Sequence, residues 1–138
     1  LSHIYNALDT WENAGSPHAT VVELESAGGL VHDNESTITE GTPLGGSGER
    51  YGETQWWIDS GQIMEADIVF RVTVGESVQA CYEEYGFYKI ALHELGHLFG
   101  LFGHSSNPES VMYSESRACE SMAELSNEDI ARLREIYP

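Results

Sequence analysis

A chain of 138 residues and 15.3 kDa has room for one core, so residues 1–138 are expected to form a single domain. Hydrophobic residues make up 41%, with three Trp, seven Tyr and four Phe to fill an interior, which excludes wholesale disorder; no apolar run nears the roughly 18 residues of a membrane span. Charge is the unusual feature: 23 Asp plus Glu against six Lys plus Arg give a formal net charge of -17, which excludes nucleic acid and anionic membrane surfaces, since both demand basic patches.

Residues 2–14 read as a helix, with Ile4, Leu8 and Trp11 on one face and Gly15-Ser16-Pro17 as the stop. The β-branched run from His18 to Ser26 reads as a strand closed by Gly28-Gly29. From His32 to Tyr51 the chain is polar and rich in Gly, Ser and Thr, and reads as a long functional loop or weak strand-and-loop segment. Gln55–Ile58 reads as a short aromatic strand, with Asp59-Ser60-Gly61 turning into the next one. In that next strand Met64, Ala66, Ile68, Phe70, Val72 and Val74 alternate with Glu65, Asp67, Val69, Arg71 and Thr73, predicting one buried and one largely polar face up to Gly75. Tyr85–Leu101 reads as a buried helix. Ser126–Tyr137 reads as a terminal helix capped by Ser126, with Glu128 and Asp129 in its first turn and Arg132 and Arg134 near its end, as the helix dipole prefers. This order predicts an α+β domain.

The acids, 18 Glu and five Asp, are spread along the chain. They read as a solvated shell or, more sharply, as adaptation to high salt; the surface suits cations and basic peptides. Cys81 and Cys119 lack the close spacing of a zinc-ligating pair. One disulfide, contributing about 4 kcal/mol in the loop-entropy view, and two buried thiols are both open readings. The start at Leu1 without a signal-peptide pattern is expected of a processed or trimmed form.

The informative segment is His93-Glu94-Leu95-Gly96-His97, an H-E-x-x-H on a helix. Positions four apart differ by about 40° around the helix axis, so both imidazoles project from one face toward a single metal ion. Glu94, next to the first ligand, is placed to act on a water without binding the metal. The alternative, a core helix that happens to carry two histidines, would bury polar groups without partners. Gly100 lets the helix stop, and His104 then returns as a third ligand.

The stretch HELGHLFGLFGHSSNPESVMY resembles the metzincin zinc proteases, and within them the matrixins, whose pattern is H-E-x-x-H-x-x-G-x-x-H followed by a Met-containing turn. GQIMEADIVFRV resembles the matrixin strand above the active site, and AELSNEDIARLREIYP resembles the closing helix that begins L-S-x-x-D, so the likeness covers most of the chain. It implies a metzincin-like α+β fold: a small twisted mixed sheet with an N-terminal helix, an active-site helix and a C-terminal helix. It implies one catalytic Zn2+ on His93, His97 and His104, Glu94 as general base, and Met112 as an apolar cushion beneath the metal. It also implies that the strand after Gly61 lies at the sheet edge, where a substrate would pair with Ala66, Asp67, Ile68 and Val69. Calcium is a second expected ion, with no ligand assigned. The expected protein is a secreted, monomeric endopeptidase acting on peptides or proteins.

Two departures bear on this. The family places its third histidine three residues after the glycine, whereas His104 lies four after Gly100, and the family position is Gly103; an extra residue such as Phe102 must be absorbed by a bulged turn. The Tyr-Pro-x-Tyr run that walls the family's specificity pocket is replaced by Tyr113-Ser114-Glu115-Ser116. Two other classes stand beside the enzyme: a catalytically silent zinc-binding module with a spoiled site, and an acidic interaction domain without metal.

Overall fold

The structure, a computed structural model, describes residues 2–19, 30–41, 50–115, 119 and 123–138. Helix α1 (Ser2–Ala14) buries Ile4, Ala7, Leu8 and Trp11, the one-face spacing of an amphipathic helix. Gly15 ends it in the left-handed region at φ 120° while donating to the Trp11 carbonyl. The strand predicted from His18 to Ser26 lies outside the described residues, apart from His18 and Ala19, which are not in a strand.

Three strands form a mixed sheet in the order β1-β3-β2: β1 (Ile38–Glu40) runs parallel to β3 (Gln62–Phe70), and β2 (Gly52–Asp59) runs antiparallel to it. β1 falls inside the segment read as loop or weak strand, and β2 is longer than Gln55–Ile58 at both ends. Ser60 and Gly61, at φ 50° and 77°, make the two-residue turn between β2 and β3, the backbone twist that matches paired strands.

This order corrects the substrate strand. Ala66, Asp67, Ile68 and Val69 do not lie at an edge; β3 is the central strand. Their β2 partners are Trp56, Gln55, Thr54 and Glu53. On the other side Ile68 and Val69 pair with Ile38 and Thr39, the Ile68 amide donates to the Thr37 carbonyl at 2.8 Å, and the Ala66 amide donates to Ser36 Oγ at 3.0 Å. Among the described residues β1 and β2 are the outer strands of this sheet, and β2 is the outer strand that packs beside the helix carrying His93 and His97.

The alternation in β3 is real, but its polar face is not solvated. Glu65 and Asp67 are each only 1% exposed, whereas Met64 is exposed and the strand stops at Phe70 instead of reaching Val74. The reason is the chain before β1. Backbone amides of Asp33 and Asn34 donate to the Glu65 carboxylate, and amides of Val31 and Thr37, with the Thr37 hydroxyl, donate to Asp67. A carboxylate dressed in amide donors tolerates burial that an unpaired one does not.

The predicted helix from Tyr85 to Leu101 starts earlier and ends earlier. It is continuous from α2 (Glu76–Cys81) through a π-helical turn (Tyr82–Gly86) into α3 (Phe87–Leu98). The wide turn brings Tyr82, 1% exposed, into the core, where its hydroxyl donates to the Arg71 carbonyl and burial pushes its ionisation upward. Cys81 and Cys119 form a disulfide across a sequence separation of 38.

Helix α3 is buried on most of its circumference, every residue from Ile90 to His97 lying inside. Trp11 of α1 packs against it and donates from its indole to the Leu92 carbonyl at 3.0 Å. At Gly96 the fit is tightest: a β-carbon there would lie 2.5 Å from Met112 Sδ and 2.9 Å from Trp11 Cζ2. Gly96→Ala is therefore expected to destabilise the fold by about 1–3 kcal/mol through overpacking, despite alanine's better helix propensity; chemical denaturation of the two proteins measures it.

Helix α4 (Asn127–Ile136) begins as the sequence predicts. The Ser126 hydroxyl accepts from the Asp129 amide, and the Asp129 carboxylate accepts from the Ser126 amide, a reciprocal capping box.

Candidate active site

The two histidines of the H-E-x-x-H sit on α3, 8% and 6% exposed, with ring centroids 4.8 Å apart. Each is oriented by a backbone carbonyl. His93 Nδ1 lies 2.7 Å from the Val111 oxygen and His97 Nδ1 lies 2.8 Å from the Leu101 oxygen. A carbonyl only accepts, so both Nδ1 atoms carry the proton and both Nε2 lone pairs are free for a metal. Burial pushes both imidazoles down to about 4, which keeps them neutral, the ligating form, at neutral pH.

His104 completes the set. Its ring stacks 5.1 Å from that of His93 and stands 5.2 Å from that of His97. One ligand atom from each of His93, His97 and His104 lies within 4.8 Å of the others, and these three form the metal-capable side-chain cluster among the described residues. Three imidazoles, two of them buried and the third exposed, form a donor set that suits zinc.

The longer spacing is absorbed in the turn. Gly100 and Gly103 are both left-handed, at φ 99° and 71°, and the Phe102 amide donates to the Gly100 carbonyl at 2.9 Å. Two glycines thus fold five residues, 100–104, into a compact bulge that returns His104 to the helix end. Arg132 of α4 pins it by donating to the Phe102 carbonyl at 2.8 Å.

Glu94 is 6% exposed and stands outside the histidine cluster. Strand β2 holds it. The Thr54 hydroxyl donates to Glu94 Oε2 at 2.6 Å, and a β-carbon at Gly52 would meet Glu94 Cγ at 2.6 Å, so only glycine leaves the carboxylate its place. Burial raises the proton affinity of Glu94, and the Thr54 bond works against that rise. Farther along β2, the Trp56 indole donates to the His97 carbonyl at 2.9 Å.

Met112, fully buried, lies against Gly96, the helix residue next to His97. Its carbonyl accepts from the Ser105 amide at 2.8 Å, and Tyr113 bridges to Ser105, so the turn is stitched to the segment that follows His104. Ala66, Asp67, Ile68 and Val69 contribute no open backbone to this region. Gly52, Thr54 and Trp56 of β2 are the strand residues that lie against Glu94 and His97.

Comparison with known proteins decides the family. The matrixin peptidase profile matches residues 3–138. The chain belongs to the matrixin family. Among curated relatives it is similar to metalloendoproteinase 2-MMP of Arabidopsis thaliana, 32% identical over 81 residues, which is 59% of this chain and 18% of that protein. It is also similar to metalloendoproteinase 5-MMP of the same plant, 29% identical over 86 residues, 62% of this chain and 21% of that protein. Stromelysin-2 of Rattus norvegicus is 48% identical over 50 residues, 35% of this chain and 10% of that protein. The matched regions thus span about a fifth or less of each of these longer proteins.

Proposed function

We propose that this chain is a zinc-dependent endopeptidase in which Glu94 is the general base and His93, His97 and His104 hold the metal. The observation that carries this reading is the pairing of a three-imidazole cluster, two of its rings held by backbone carbonyls, with a buried carboxylate that is not a member of it. A purely structural zinc site closes its fourth position and has no use for such a base, which weighs against the silent-module alternative.

When bound, zinc supplies Lewis-acid polarisation of the scissile carbonyl and lowers the pKa of water toward 7. The chain's own residues do the rest. Val111 and Leu101 carbonyls fix the His93 and His97 rings. Glu94, aimed by Thr54 and admitted by Gly52, takes the proton of the attacking water and passes it to the departing amine. An extended peptide is proposed to pair with the outer edge of β2, the strand that borders α3 from Glu94 to His97.

A secreted, extracellular setting is proposed on the disulfide, which oxidising compartments sustain, together with the acidic surface. No helix among the described residues is long and apolar enough to cross a membrane. A monomer acting on peptides or proteins is the proposed working form. Calcium remains a proposal without a named ligand.

Elemental analysis with a chelator-sensitive peptide-cleavage assay tests the reading: one zinc per chain, and cleavage lost on chelation and restored by zinc. His104→Ala is expected to weaken zinc by at least about 100-fold, measured by competition with a chromophoric chelator. Full-affinity zinc in that variant would remove His104 from the site.

A further inference from the structure

The third histidine is held differently from the other two. His93 and His97 each have a ring nitrogen against a backbone carbonyl. His104 is exposed, and among the described residues its ring touches those two histidines and makes no hydrogen bond. Its placement falls to the backbone on either side, which contains Gly100 and Gly103, both at positive φ. Helix α4 takes hold of that backbone at three points. The Tyr137 hydroxyl donates to the Phe99 carbonyl at 2.9 Å, and Arg132 donates to the Phe102 carbonyl at 2.8 Å. The buried Ser105 hydroxyl donates to the Glu128 carboxylate, 2.8 and 3.0 Å from its two oxygens. Arg132 and Glu128 stand four apart, the spacing at which opposite charges on a helix pair with each other. Here each is turned instead to the segment that carries His104, one to the residue two before it and one to the residue after it.

We propose that Arg132 and Glu128 are positioning residues for the third zinc ligand: by gripping the turn on both sides of His104, they set how tightly the metal is held. The gain is entropic. Closing three imidazoles on one ion requires His104 to be fixed, and a segment with two left-handed glycines has many alternatives when it is not anchored. A turn anchored beforehand loses less freedom when the metal binds, and outer partners of metal ligands tune affinity in this way. Neither residue belongs to the histidine cluster, so both act through the backbone that carries the ligand. The Phe102 carbonyl takes one bond from Arg132, so a single charged donor at position 132 suffices. The proposal rests on His104 as a zinc ligand, as in the reading above.

The test is zinc affinity, measured by competition with a chromophoric chelator in a double-mutant cycle with His104→Ala. Arg132→Leu, which keeps apolar bulk and removes the donor, and Glu128→Ala are each expected to weaken zinc about tenfold in the full chain. With His104 already replaced, the same substitutions are expected to change affinity by less than about twofold, because the ligand through which they act is gone. Arg132→Lys, which keeps one charged donor, is expected to stay within about threefold of the parent. The two arms are independent, so the Glu128 cycle decides if the leucine variant does not fold. Parental affinity in either variant, or equal weakening with and without His104, overturns the clamp and leaves His104 as a ligand. Parental affinity in His104→Ala, or a parent that takes up no zinc, overturns the ligand assignment itself.

Discussion

Glu94→Gln is expected to leave zinc and fold in place and to lower kcat by about 10² to 10⁴. Glutamine keeps the shape of the side chain and an oxygen for the Thr54 hydroxyl, which donates at 2.6 Å in the parent. It removes the one property the mechanism needs, the ability to take a proton from water and return it to the amine. The metal cluster consists of three histidines, so zinc stoichiometry should not change. That combination separates a base from a ligand: a ligand variant loses metal and turnover together, whereas this one loses turnover alone. Glu53 is the other carboxylate whose charge is felt at Glu94. If Glu94→Gln cleaves peptides within a few-fold of the parent, the proton acceptor must be sought there or in solvent, and Glu94 becomes a merely buried acid. Steady-state kinetics beside metal analysis on the same preparation makes the distinction.

Much of this site is legible in the sequence because its core is local. His93, Glu94 and His97 lie within five residues of one helix, and helical spacing alone converges the two imidazoles. The Ser60-Gly61 turn and the Ser126 cap are equally local, and both stand where turn and capping chemistry put them. What the sequence does not disclose is set across distance. Glu65 and Asp67 alternate as a solvated strand face would, yet both are buried, because amides some thirty residues earlier in the chain fold over them. The substrate strand is misplaced for another reason. Its edge position is an implication of the resemblance that alternation, which tells faces and not edges, has no power to check, and β1 lies on its other side. Thr54 and Gly52 carry no motif; only the antiparallel register of β2 brings them to Glu94, 40 residues away for Thr54. Phe102 shows up as one extra residue in a spacing, a signal that something must bulge, without saying toward what.

Asp129→Ala is expected to cost about 3–5 kcal/mol, lowering the melting temperature by roughly 10 °C, and to weaken zinc by about 10- to 100-fold. Asp129 is 0% exposed, and its carboxylate is filled by donors. Oδ1 accepts from the Ser110 hydroxyl, and Oδ2 accepts from the Val111 amide at 3.0 Å and from the Ser126 amide and hydroxyl, both at 2.8 Å. Alanine leaves these buried donors without an acceptor, which is more damaging than losing a surface contact. The effect on zinc follows from one peptide unit away: Val111, held by Asp129 at its nitrogen, holds His93 Nδ1 at 2.7 Å with its oxygen. Asp129 of helix α4 therefore orients the His93 ring on α3 through the turn that also carries Met112. Zinc binding is expected to raise the melting temperature of the parent by stabilising the folded state, and the size of that rise measures how well the site is formed beforehand. In Asp129→Ala the rise itself should shrink, along with the baseline. A variant that melts lower yet gains as much from zinc as the parent would show that Asp129 serves the fold alone and that His93 finds its orientation without it.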